Sequence, residues 1–144
     1  IPAELTYGLE RLAAFLQVRD SVYDIEWAPG VSYAQVRYPD ELQNSVYNFE
    51  VADIATLWQL FEIHEREAQR LIDLYPRQED AAALAKRRFP LLPTYDHVLK
   101  CSHLFNTLDS RGAISVTERV GVIARVRKLA VGLAQAWANQ EEAA

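Results

Sequence analysis

Residues 4–17, ELTYGLERLAAFLQ, change their hydrophobic period partway through the run. Up to Tyr7 polar and apolar residues alternate as in a strand, whereas Leu9, Leu12, Ala13 and Leu16 recur at the spacing of one helical face. Gly8 stands at the joint. A residue without Cβ permits a sharp bend and a close approach of ligand to backbone, and Arg11 then emerges in the first helical turn beside the strand's end. Such a junction suits a phosphorylated or planar ligand. Taken alone, a glutamate and an arginine in a helical run are better explained as a solvated face, because both are ordinary helix formers.

Working outward, 144 residues of which 50% are hydrophobic can form one compact domain. A net charge of -5 and a pI near 5.2 argue against holding nucleic acid by bulk electrostatics, which draws on clustered Lys and Arg. Any RNA contact is then local or supplied by a partner. Cys101 is the one cysteine, so no internal disulfide can form, and no apolar run approaches the roughly 20 residues that span a bilayer. With no secretory signal visible at the start, the expected compartment is the cytoplasm, with no membrane contact. The chain contains no methionine and opens in the middle of a strand-like run, so it reads as a fragment of a longer protein.

Further along, residues 21–27 (SVYDIEW) read as extended, Pro29-Gly30 as a turn, and residues 31–38 as another extended segment. A short helix is expected within 39–47. Asp53 offers an N-cap to a long helix whose apolar face comprises Leu57, Leu60, Phe61, His64, Ala68, Leu71, Ile72 and Tyr75, with Pro76 as its stop. Glu62 and Arg66 have the spacing of an exposed pair. Residues 78–88 resemble a helical spacer in which Lys86, Arg87 and Arg88 are solvated. A helix over 93–108 is expected to bury Tyr95, Val98, Leu99, Ser102 and Phe105 and to end at the turn 109–112. Ser115 and Glu118 have capping-box spacing and start the last helix. Val116, Val120, Ile123, Arg127, Ala130, Ala134 and Trp137 descend one face of it, and Val122, Val126, Leu129 and Leu133 a neighbouring face. Two apolar stripes require two packing partners, as in a bundle or at a subunit contact.

The other candidates for chemistry have bland readings. His97 and Cys101 are four apart and can share a helical face, but structural zinc takes four ligands and no second Cys or His pair completes the set. Cys101 is expected in the core, and His64 is expected to be packed and hydrogen-bonded. No metal site is assigned. Arg119, Arg125, Arg127 and Lys128 could meet an RNA backbone or an acidic partner, but the favoured reading lays their stems over apolar surface with the charges wet. Nothing resembles a Ser-His-Asp arrangement, a P-loop or a dinucleotide fingerprint.

Five stretches, in order, carry a resemblance: LTYGLERL (5–12), DSVYD (20–24), SVYNFE (45–50), PTYDHVLKCSHLFN (93–106) and LDSRGAISVTER (108–119). Together they resemble the second half of the α chain of the bacterial heterotetrameric glycyl-tRNA synthetase, a class II enzyme. The likeness covers nearly the whole sequence. It implies a mostly α fold: a helical, bundle-like C-terminal region over 39–144, attached to the last strand and motif 3 helix of a class II catalytic domain over 1–38. By resemblance Arg11 lies against the adenine and γ-phosphate of a bent ATP, Gly8 lets that ligand approach the backbone, and Glu4 and Thr6 face the glycine substrate from the strand. Glu4 would take the α-ammonium group.

The reaction so implied joins glycine to ATP as glycyl-adenylate, with Mg2+ accompanying the nucleotide, and then transfers glycine to tRNA(Gly). The implied partner is a β chain in an α2β2 assembly, doing much of the tRNA binding. Motifs 1 and 2 of the class are absent from these residues, so the fragment alone is not expected to activate glycine. The sequence also departs from the family pattern at Ala34 and over 38–44, and its spacer over 73–89 is long. The alternative is a non-catalytic helical interaction module derived from a synthetase.

Overall fold

Side-chain caps at Ser32, Asp53 and Ser115 start three of the helices. The computed structural model describes residues 7–76 and 83–142, the side chains of 141 and 142 apart. In order these form α1 (Leu9–Leu16), a 3₁₀ turn (Val22–Asp24), β1 (Glu26–Ala28), β2 (Val31–Ser32), α2 (Tyr33–Val46), a π turn (Tyr47–Val51), α3 (Ile54–Leu74), α4 (Ala83–Arg88), α5 (Leu91–Ser110) and α6 (Val116–Glu142). The fold is mostly α, with one small sheet, and divides into two compact units, Ile1–Tyr47 and Asn48–Ala144.

In the first unit β1 and β2 pair antiparallel, Glu26 opposite Ser32 and Ala28 opposite Val31, with a register shift between Glu26 and Ala28. Gly30, at φ +76°, supplies the left-handed residue that the turn needs. The extended reading of 31–38 holds only to Ser32. There the Ser32 hydroxyl accepts from the Gln35 amide while the Gln35 side chain accepts from the Ser32 amide, and this capping box starts α2 at Tyr33. The helix then runs through Pro39, although an interior proline removes one backbone bond. The core of this unit is small, with Ile25 (3% exposed) and Tyr33 (8%) its buried side chains.

In the second unit α3, α5 and α6 pack pairwise as a three-helix bundle. Asp53 caps α3 as expected, its carboxylate accepting from the Thr56 amide at 2.7 Å, and the same bond holds that carboxyl below its ordinary value. Leu57, Phe61, Ala68, Ile72 and Tyr75 face the core, while Leu60 stays partly exposed. The buried face of α5 is Leu91, Thr94, Val98, Cys101, Leu104, Thr107 and Leu108. Tyr95 and Leu99, expected inside, are exposed. The two buried threonines satisfy their hydroxyls on the i-4 carbonyls, Thr94 on Pro90 at 2.8 Å and Thr107 on His103 at 3.1 Å, which lets polar residues occupy core positions. Helix α5 ends as expected, with Gly112 left-handed at φ +65°.

Ser115 and Glu118 form the expected capping box at the start of α6. Of its two stripes, Val122, Leu129 and Leu133 are buried together with Ala136, while Val116, Val120 and Trp137 remain exposed within this chain. Glu62 and Arg66 form no ion pair. Instead Glu67 pairs with Arg70, and Arg125 reaches Glu65 across from α6 at 2.8 Å with its guanidinium over the Phe61 ring, 4.8 Å from the centroid. Lys86 corrects the solvated reading of 86–88: it is 5% exposed, because α4 packs on α6, where the Lys86 carbonyl accepts from Gln140. Residues 78–82 of the expected spacer lie outside the described residues.

Candidate functional site

Helix α1 brings Gly8 and Arg11 together. Gly8 is its N-cap and offers no side-chain cap, its carbonyl accepting from the Leu12 amide at 3.2 Å. Its φ of -73° and ψ of 109° suit any residue, so the joint does not depend on glycine for its backbone angles. What the missing side chain leaves is room: a Cβ built there would sit 3.8 Å from Cγ and 3.9 Å from Cδ of Arg11. The Arg11 stem therefore lies back along the start of the helix. The residue is exposed, and its guanidinium makes no hydrogen bond or ion pair with another described residue. Glu4 and Thr6 lie outside the described residues.

The surroundings of α1 are tied by polar contacts. The Gln17 carboxamide bridges to β1 twice, donating to the Glu26 carbonyl at 3.1 Å and accepting from the Glu26 amide at 2.7 Å. Tyr33, at the start of α2, donates its hydroxyl to Glu10 at 3.3 Å, next to Arg11 in sequence. Desolvation first, then the Glu10 charge, raises the Tyr33 phenol above its ordinary value and keeps it a donor. Tyr23 donates to Glu41 at 2.6 Å, is raised chiefly by that bond, and its ring meets Tyr38 edge-on at 5.2 Å. The Tyr33 bond to Glu10 spans 23 positions, beyond any local spacing rule, and depends on α2 starting at Tyr33 rather than on an extended segment running to residue 38. The capping box at Ser32 was the available signal.

Chemically, this surface presents at a helix start a planar cation that no other described residue engages. That can stack on a flat ring and donate to phosphate oxygens. Neither described residue of the predicted site can act as a nucleophile. Cys101 is no substitute: burial first, with the Glu65 charge, pushes its thiol up to about 11, which makes it an inert core residue as expected. His64 is half-buried and hydrogen-bonded, again as expected, but its partner is His97. Among the described residues no group of three or more His, Cys, Asp or Glu is arranged to hold a metal, and no helix is long and apolar enough to cross a membrane.

A family model described as glycyl-tRNA synthetase alpha subunit matches residues 1–142. By class, then, this mostly helical chain stands among the aminoacyl-tRNA synthetases, which are ligases. In particular, it belongs to the glycyl-tRNA synthetase alpha subunit family, whose name implies assembly with a second kind of subunit.

Proposed function

We propose that this chain serves glycine-tRNA ligation, with α1 contributing to the nucleotide site of the α subunit. The observation that carries the reading is the Arg11 stem lying along a capless helix start, its guanidinium engaged by no other described residue, in a chain matched to the family over 1–142. Activation of glycine builds negative charge on the ATP phosphates, and such chemistry depends on positioned positive charge more than on a protein nucleophile. Arg11 would stack on the adenine and donate to the γ-phosphate. Gly8 would leave the helix start open to the ligand, and Glu4 and Thr6 would line the glycine pocket, Glu4 binding the ammonium group. Selection by that pocket would rest on excluding a β-carbon, because a single missing methylene contact discriminates by only about 1–3 kcal/mol.

Mg2+ would arrive on the ATP phosphates, since the described residues hold no metal cage of their own. The net charge of -5 suits a chain whose tRNA(Gly) is gripped mainly by a β chain, in an α2β2 complex of the cytoplasm.

The test is glycine-dependent ATP–pyrophosphate exchange by the full-length α chain with its β partner. Arg11→Ala is expected to lower exchange about a hundredfold to a thousandfold, the usual cost of deleting one preorganised charge, with Arg11→Lys intermediate. Unchanged exchange in Arg11→Ala would remove Arg11 from the nucleotide site. A second reading, an interaction module without catalysis, draws on the exposed α6 stripe of Val116, Val120 and Trp137. Exchange activity of the wild-type complex that depends on α1 would exclude it.

A further inference from the structure

His64 of α3 and His97 of α5 meet across the seam between their helices, Nδ1 to Nδ1 at 2.9 Å, with ring centroids 5.1 Å apart and planes inclined at 47°. Both are half-buried, and neither belongs to the nucleotide site proposed above. Two ring nitrogens at this distance are bonded only if one carries a proton and the other offers a lone pair. When both rings are neutral, one donates to the other. With one added proton the imidazolium donates to the neutral ring, and the bond is charge-assisted. With two, both Nδ1 atoms carry hydrogens that face each other, the bond is lost, and like charges stand in contact.

We propose that this pair is an acid-sensitive clasp, joining α3 to α5 while it holds at most one added proton and releasing the seam when it takes the second. The charges acting on it offer little rescue. Asp96 and Lys100 on α5 neutralise each other at 2.7 Å, Glu67 on α3 is engaged by Arg70, and on the α6 side Arg125 is engaged by Glu65. Desolvation, then the neighbouring His97 and Lys100, hold His64 below the ordinary histidine value, against a smaller opposing pull from Asp96. Because the unfolded chain binds protons at His64 near the ordinary value of about 6.5 and the folded chain only below it, the contact's stability is intact above that pH. It declines as pH falls through it.

Ring-nitrogen NMR of the 144-residue chain tests the clasp. The His64–His97 pair is expected to take up its protons in two shared steps separated by more than about one pH unit. In His97→Gln the His64 ring should revert to a single step. Single, unshared steps for both rings in the native chain would overturn the proposal, and that result is decisive even if a variant fails to fold. The native melting temperature should also drop more between pH 7 and 5.5 than that of His64→Gln/His97→Gln, and an equal drop in both would refute the release step.

Discussion

Val18 and Gly112 occupy the same place in two helix ends. After α1, the Val18 amide bonds back to the Phe15 carbonyl at 3.2 Å and the Arg19 amide to Ala14 at 2.8 Å; after α5, Gly112 bonds to Asp109 and Ala113 to Leu108, both at 3.0 Å. Both are left-handed, at φ +53° and +65°. Gly112 takes that conformation freely, whereas a β-branched residue does so against steric resistance, and Val18 is 89% exposed, so no packing repays it. Val18→Gly should therefore stabilise the end of α1 by about 1 kcal/mol, read as roughly fivefold more protection of the Arg19 amide from hydrogen exchange. Reduced protection would contradict the strain. The site shows the same contrast in legibility. Gly8 and Arg11 are three positions apart, so one helical turn joins them and the sequence displays the pair. Glu10 with Tyr33 and His64 with His97 are joined only by folding, and no spacing rule reaches them.

Among the elements, α3 was legible in its start, its core face and its end, because its cap, its 3.6-residue stripe and its terminating proline agree with one another, but not in its surface pairing, where Arg70 takes Glu67. Helix α5 was legible as a helix but not as a face. Tyr95 and Leu99 make one plausible stripe and Leu91, Leu104 and Leu108 another, and the neighbours α3 and α6 decide between them. The α3–α6 contact turns on Gly132, where a Cβ would lie 3.0 Å from Cγ2 of the buried Ile72. Gly132→Val should destabilise the bundle by about 1–3 kcal/mol through overpacking, in denaturant titration, while Gly132→Ala should cost much less because alanine regains up to about 1 kcal/mol of helix propensity. A Gly132→Val chain as stable as the parent would show that the helices are free to separate there.

At the scale of the whole molecule the two units differ in how much they bury. The second assembles a core around Phe61, Leu91, Cys101, Leu108 and Leu129, whereas the described part of the first buries Ile25 and Tyr33 and leaves Leu9, Phe15 and Leu16 of α1 exposed. Two buried side chains leave the described part of the first unit little apolar burial to set against the conformational entropy of ordering it. Amides in the middle of α3, α5 and α6 should thus exchange only with cooperative unfolding, and those of α1 and α2 orders of magnitude faster. Equal protection in both units would refute this. The sequence by itself displayed the family, through five stretches in order along the chain, and with it the helical class, together with the caps of α3 and α6 and the Gly8–Arg11 pair, which are written in residues a few positions apart. The tertiary structure alone decided which face of α5 is buried, that Lys86 lies inside, that α6 leaves one stripe uncovered and that His64 meets His97, because those outcomes depend on which surfaces remain for one helix once its neighbours have packed.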